Sequence, residues 1–505
     1  MTIFRRKPPL LFGSGALLAV AAALAVARLP WESFGAPILS VLVLGGGMLA
    51  LALIDSPAEE RRFVVRLLLV AFAVRLAAAA VFYLAIGNDE SYIYSDANTY
   101  DRVAWVVAQA WHSGSVPAVG SGGHIQNDVY PLLLAGLYFV IGHSLAAAVV
   151  INILFGTAAV YLLYRLGAML FGPVTARWAG WLTVFYTGFW LWEIMTLKDS
   201  LFLFLILFFF LALYRLWTLL AAGDRTPVSF LQAGIWAAVL AAVIAATGEL
   251  RDYIPVILVG CVALLPAIVF LRKGRFWRWA VVLGAAAAVL IPIWSPLMWH
   301  ELPAIAVGSQ STLFQYTEIP HTERIFIFLN WIGQNPLAFL RFLVFSSFST
   351  LLAPYAWILP GSLPEVPRAE NYMIAYPGMW LWYLLIPFAI VGTVQAVRRT
   401  KGEAVPLVFY AAAVFLAVAI FVPREYRHRD MIMPIALLFS AEGLVFSRRW
   451  WALGAAAWVP LIGFIAWKLH SVVPILLAAA ATGAGILLWR IRKRRGREAE
   501  LVKVR

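Results

Sequence analysis

Runs of about 20 consecutive apolar residues recur along this chain, and no other feature limits its fold as tightly. They lie near 10–28, 36–54, 63–86, 144–164, 175–192, 199–217, 229–247, 253–271, 279–297, 380–397, 404–422, 431–446, 451–468 and 473–489. Each is close to the length a helix needs to cross the hydrocarbon layer of a bilayer. Barrel strands would instead alternate in polarity over about ten residues, and these runs are continuous. The spacing therefore predicts an all-α polytopic membrane protein of about fourteen transmembrane helices. Composition agrees: of 505 residues, 63% are hydrophobic and 13% charged, too few to clothe a water-facing surface.

The formal net charge of +14 invites a nucleic-acid reading. The positives, however, gather at the ends of apolar runs, where a multipass protein marks its cytoplasmic loops, so no nucleic-acid partner is expected. Arg5, Arg6 and Lys7 before the first run, and Arg490, Arg492, Lys493, Arg494, Arg495 and Arg497 after the last, predict that both termini are cytoplasmic. The first run resembles a signal peptide but lacks a clear small-residue cleavage site, so a retained span is expected. One cysteine, Cys261, lies inside an apolar run, which excludes an intrachain disulfide. Four regions are expected: two N-terminal helices within 1–62, a membrane module over 63–297 with an outward loop at 87–130, a long outward loop over 298–379, and C-terminal helices with a basic tail over 380–505.

The first outward loop is acidic in an otherwise basic chain, with Asp89, Glu90, Asp96, Asp101 and Asp128 against Arg102. Within it Tyr100, Val103, Val107 and Trp111 recur at helical spacing, predicting a surface-lying helix. The apolar stretch 131–142 is too short to span and reads as an interfacial helix. Residues 336–353 could nearly span, but an extra crossing would put Arg398, Arg399 and Lys401 outside. A re-entrant or interfacial helix is expected there, followed by an irregular cover over 354–377.

Three groups of residues could carry chemistry. Asp96, with Asp89, Glu90 and Asp101, is the first; its plain alternative is a helix cap beside solvated acids. Glu193, Lys198 and Asp199 form the second, where one run ends and the next begins. Ionisable groups at membrane depth suggest function, although a helix-start acid and a snorkelling lysine would look the same. The third comprises Arg251 and the stretch Pro423-Arg424-Glu425-Tyr426-Arg427-His428-Arg429-Asp430. Arginines outside run against the positive-inside bias, and their planar forks suit phosphate. A salt-bridge cluster with Glu425 and Asp430 is the alternative. His112, His124, His300 and His321 lack the paired spacing of a zinc site. No phosphate-binding loop, dinucleotide fingerprint or nucleophile elbow is present in the sequence.

Taken together, Asp96, Tyr100 and Ala104, in the form Asp-x-x-x-Tyr-x-x-x-Ala, followed by Tyr130-Pro131-Leu132-Leu133, Gly142, Asn152, Tyr164-Arg165-Leu166, Leu170-Phe171-Gly172 and Thr196-Leu197-Lys198-Asp199, resemble the GT-C membrane glycosyltransferases. The likeness is to the bacterial relatives of protein O-mannosyltransferases and of aminoarabinose transferases. It covers about 63–220, and beyond that only topology and Arg427-His428-Arg429. Two features differ: many relatives have Asp-Glu where this chain has Asp96-Ala97, and two additional spans precede the usual first one. The resemblance implies a polyprenyl-phosphate sugar donor, an acceptor hydroxyl on a lipid, glycan or protein, and transfer on the outer face of a bacterial inner membrane. It makes Asp96 the general base and Asp199 a second carboxylate, with Tyr100, Lys198, Arg251, Arg427, His428 and Arg429 as substrate contacts. No cofactor is required by this scheme, and a divalent metal is left open. A transporter or lipid flippase is the competing class; it would place ionisable residues within several spans and repeat its halves in inverted order.

Overall fold

The computed structural model describes residues 35–86, 95–115, 129–222, 226–251, 253–273, 333–334, 336–352, 376–421 and 426–447. All regular structure among them is helical. Among the described residues, six helices are long and apolar enough to cross a bilayer: Ala36–Asp55, Arg61–Ala85, Leu145–Phe171, Asp199–Ala221, Pro227–Leu250 and Tyr376–Arg399. They coincide with six of the runs read from the sequence, so the described residues are those of an all-helical protein with several helices suited to a membrane. The runs near 10–28, 279–297, 451–468 and 473–489 lie outside the described residues, as do His124, His300, His321, Asp252, Arg424 and Glu425. So do 87–94 and 116–128 of the first loop and nearly all of the cover over 354–377.

Two compact units divide the chain, one of Met1–Tyr161 with Trp192–Leu205, the other of Leu162–Leu191 with Ile206–Arg505. The first unit opens with α1 (Ala36–Asp55), which is wound more widely over Val41–Gly45, and α2 (Arg61–Ile86). Next come α3 (Ser95–His112), α4 (Val129–Ile141) and the first half of α5 (Leu145–Phe171). Helix α3 buries Ala97, Tyr100, Ala104, Val107 and Ala108. Opposite stand Tyr130, Leu134, Ala135, Tyr138 and Ile141 of α4. Of the expected face, Tyr100 and Val107 are buried, whereas Val103 is half-buried and Trp111 is 39% exposed, so the packed side is rotated toward the alanines. Alanines at 97, 104 and 108 let α3 approach its partner closely, which larger residues at those positions would prevent. Gly142 ends α4 in the left-handed region at φ 81°, where a side chain would be strained. Ser144 then caps α5, its hydroxyl accepting from the Ala147 amide at 3.2 Å.

In the second unit the expected span over 175–192 is broken into α6 (Pro173–Phe185) and α7 (Thr187–Glu193, whose last two residues belong to the first unit). The break falls at Tyr186, whose backbone turns extended at φ −78°, ψ 94°. Its hydroxyl is committed to a polar cluster described below. Beyond it, the Thr187 hydroxyl accepts the Gly378 amide at 2.8 Å. Helix α8 (Asp199–Ala222) starts in the first unit and runs into the second, followed by α9 (Pro227–Leu250), α10 (Ile254–Lys273) and α11 (Pro336–Leu352). The described residues close with α12 (Tyr376–Arg399), α13 (Val405–Phe421), the short α14 (Tyr426–Arg429) and α15 (Met433–Phe446). Helix α11 matches the helix expected over 336–353. Helices α12 and α15 touch backbone to backbone at Gly392 and Gly443, where a Cβ on either would overlap the other helix's carbonyls. Small residues at a crossing are how membrane helices gain van der Waals contact without a hydrophobic driving force. On α1 and α9, Leu42, Val43, Leu51, Phe230, Leu231 and Ile235 are exposed, as a hydrocarbon solvent requires.

Candidate functional site

The first unit assembles a polar site around the segment between Glu193 and Asp199. Glu193 and Arg75 form a salt bridge in which both side chains are almost fully buried, at 2% and 0% exposure. The Arg75 Nε donates to Glu193 Oε2 and a second guanidinium nitrogen lies 3.5 Å from Oε1. A further donor reaches the Ala71 carbonyl at 3.1 Å, one turn back along α2. Gly156 on α5 makes the space: a Cβ there would collide with the Glu193 carboxylate. Two charges taken out of water are tolerated only when paired and hydrogen-bonded, and this pair is both.

Past Glu193 the backbone makes a tight turn, the Leu197 amide bonding to the Met195 carbonyl at 2.9 Å. Asn152, fully buried in the apolar run of α5, donates from its side-chain nitrogen to the carbonyls of Met195 and, at 3.0 Å, Leu197. Its oxygen accepts from the Tyr130 hydroxyl at 3.1 Å. The Tyr130 ring meets that of Tyr100 edge to face, 5.5 Å between centroids. The Lys198 ammonium stands 5.8 Å above the Tyr100 ring, a cation–π distance. Finally, the Thr196 hydroxyl donates to the Ala97 carbonyl at 2.9 Å. Burial, together with the charges of Asp199 and Asp101 and against the bond to Asn152, raises the Tyr130 phenol well above its usual range. It is therefore a permanent hydrogen-bond donor.

Four of the residues singled out in the sequence thus belong to one neighbourhood. Asp96 is exposed in the first turn of α3, next to Ala97. Tyr100 is buried one turn on. Lys198 is half-buried, and its carbonyl accepts the first bond of α8, from the Phe202 amide at 2.9 Å. Asp199 opens α8 and is 6% exposed, a carboxylate placed at the positive end of a helix dipole. The grouping offers an exposed carboxylate, an ammonium and a buried second acid at the end of a membrane-spanning helix.

Asp101 proves to be tied rather than loosely solvated. It accepts from the Tyr138 hydroxyl and lies 3.0 Å from His143 Nε2, joining α3 to α4 and to the turn beyond it. Burial first, then the charge and hydrogen bond of Asp101, push the Tyr138 phenol well above its usual range. Trp105 packs on His143 at 5.2 Å, closing this second link between the two helices.

The second unit holds the arginine group. Arg251 Nη1 donates to His428 Nε2 at 2.7 Å, which requires the imidazole to carry its proton on Nδ1. Arg429 is 1% exposed and bonds to Tyr186 at 3.2 Å, to the Met379 sulfur at 3.1 Å and to Asp430 at 3.3 Å. The Tyr186 hydroxyl in turn donates to Asp430 at 2.9 Å. Arg429 and Asp430 thus adopt the ion pair that formed the alternative reading of this stretch. Arg427, on the same short helix, is half-buried.

Several contributors had no role assigned to them from the sequence. Tyr130, Asn152 and Thr196 entered only as parts of the family resemblance; Asn152 and Arg75 are also polar residues inside apolar runs, which is a usable warning, and Tyr186 is ordinary in its surroundings. Among the described residues no three His, Cys, Asp or Glu side chains gather as a metal-holding group. No protein-family model matches the chain, and a search of curated proteins returns no match.

Proposed function

We propose that this chain is a glycosyltransferase of the plasma membrane, moving a sugar from a polyprenyl-phosphate donor to an acceptor hydroxyl on the outer face. The observation that carries this reading is the bond from the Thr196 hydroxyl to the Ala97 carbonyl. It joins the first turn of the helix bearing Asp96 to the turn bearing Lys198 and Asp199. Asp96 takes the proton of the acceptor hydroxyl as its oxygen attacks the anomeric carbon. The bond from that carbon to the phosphate oxygen breaks with inversion, and polyprenyl phosphate leaves as the anion. Lys198 meets the charge that develops on the phosphate, and the buried Asp199 orients a sugar or acceptor hydroxyl. A membrane setting suits such a donor, whose tail would partition into lipid beside α8, a helix long and apolar enough to cross a bilayer.

Asp96→Asn tests the base. The side chain is exposed, so stability should change by less than about 0.5 kcal/mol. Sugar transfer from a radiolabelled polyprenyl-phosphate sugar should fall by about 10²–10⁴-fold. Near-normal transfer in this variant would refute the assignment. The buried Arg75–Glu193 pair gives a transporter or flippase some support, since charges inside spans mark many transport pathways. That pair is closed and shielded from solvent, however, which suits an anchor better than a pathway. Lipid-phosphate flipping by reconstituted protein, unaffected by Asp96→Asn, would favour the transport reading.

A further inference from the structure

We propose that Asn152 is the positioning residue of this site: through a closed ring of contacts it fixes the Lys198–Asp199 turn against the helix that carries Asp96. The proposal rests on the glycosyl-transfer reading only for the consequence it assigns to catalysis. The ring can be followed residue by residue. Asn152 holds the carbonyls of Met195 and Leu197 with its two N–H donors and takes the Tyr130 hydroxyl on its oxygen. Tyr130 supports the Tyr100 ring, and Tyr100 belongs to α3. Ala97, one turn earlier on α3, accepts from Thr196, which lies between the two residues that Asn152 holds. The path therefore returns to its start.

An amide side chain is suited to this position in a way few others are. It presents two donors and an acceptor from one planar group. Here the donors meet two carbonyls that face away from the regular bonding of α8, and the acceptor meets a phenol that burial keeps protonated. An isosteric carboxylate would keep the acceptor side and set a negative charge against two carbonyl oxygens. Leucine would fit the volume and remove the side-chain donors from both carbonyls and the acceptor from the phenol, which is costly in an apolar surround. The ring also explains why a polar residue sits in the middle of an otherwise apolar stretch of α5. Lys198 and Asp199 follow directly on Leu197, so an error in the turn is passed on to both side chains.

Hydrogen exchange read by mass spectrometry on the full-length protein in lipid nanodiscs tests the ring without relying on activity. Thr196→Val, Tyr130→Phe and Asn152→Asp each remove one part of it: the bond to Ala97, the hydroxyl to Asn152, and the two donors. Amides of 195–202 should exchange about tenfold faster in Thr196→Val and in Asn152→Asp, and less so in Tyr130→Phe, which keeps its ring on Tyr100. Protection within α2 and the rest of α5 should stay as in the parent. In sugar-transfer assays the same variants should lose about tenfold to hundredfold in kcat with little change in donor KM. Unchanged exchange over 195–202, or acceleration spread equally over α2 and α5, would overturn the proposal. If the parent transfers no sugar, the glycosyl-transfer reading fails, and the exchange data still decide whether the ring holds the turn.

Discussion

The buried ion pair between Arg75 and Glu193 offers the sharpest quantitative test of the first unit. Both side chains are shielded from solvent, and removing one leaves the other's charge in an apolar surround. Breaking a buried pair in this way costs about 3–5 kcal/mol. Glu193→Leu should therefore destabilise by about that amount, the Ala71 carbonyl being a small compensation for the guanidinium. Arg75→Met should cost about the same, because the Glu193 carboxylate would then face the close-packed wall at Gly156. If the two effects were independent, the double variant would lose roughly 6–10 kcal/mol. Replacing the whole pair with apolar groups instead removes both desolvation penalties, and swaps of that kind are often neutral or stabilising. The double variant should thus lie within about 2 kcal/mol of the parent, giving a coupling of at least about 4 kcal/mol. Unfolding in mixed detergent micelles, titrated with a denaturing detergent and followed by tryptophan fluorescence, measures all four corners of the cycle. A coupling below about 1 kcal/mol would refute the claim that the two charges are held by each other.

Further outcomes are expected, most of them from the second unit. Gly443→Ala and Gly392→Ala should each cost about 1–3 kcal/mol or more, since an added methyl meets backbone carbonyls that cannot yield. Gly47→Ala on α1, where nothing lies within 4 Å of the added Cβ, should be neutral or slightly stabilising in the same thermal-unfolding series. Arg429→Met should lower thermal stability by several kcal/mol through the loss of its buried partners Asp430 and Tyr186. Arg251→Ala removes the donor to His428 and should cost only about 1–3 kcal/mol; on the proposed glycosyl-transfer reading it should also weaken binding of polyprenyl phosphate, measured on the purified protein. Equal losses of stability in both variants would argue against a ligand role for Arg251.

The helices were legible because the bilayer imposes a length, and α2, α5, α8, α9 and α12 follow the runs that length selects. The break at Tyr186 was not, because the sequence is apolar on both sides of it. At the break the Tyr186 hydroxyl bonds to Asp430, far away in the chain. The apolar face of α3 was read from Tyr100, Val103, Val107 and Trp111; Tyr100 and Val107 are buried, while Val103 and Trp111 are not, and alanines 97, 104 and 108 complete the packed face. Periodicity marks which side is apolar, and close approach depends on which side is small. Within the site, Asp96 and the Lys198–Asp199 pair stood out as polar islands. The contact between them runs through a hydroxyl and a backbone carbonyl, and a carbonyl has no letter in a sequence. Arg429 illustrates the converse: its charge was visible, and its engagement with Asp430, Tyr186 and Met379 depends on folding.

The segment from Glu193 to Asp199 shows how a turn between apolar helices can be anchored on every side. A loop there would ordinarily be held by water, and inside an apolar unit each backbone group needs a fixed partner instead. Glu193 is secured by Arg75, Met195 and Leu197 by Asn152, and Thr196 by Ala97. Four of the five residues before Lys198 are thus anchored through three different elements, α2, α5 and α3. The carbonyl of Lys198 then begins α8 directly. On the proposed glycosyl-transfer reading, an anchored turn leaves little conformational freedom to be lost on substrate binding, so binding energy would go to the reacting bond rather than to ordering the turn. The same reasoning explains why the polar residues at 75, 152 and 193 sit so deep: their partners are groups that the site needs kept still.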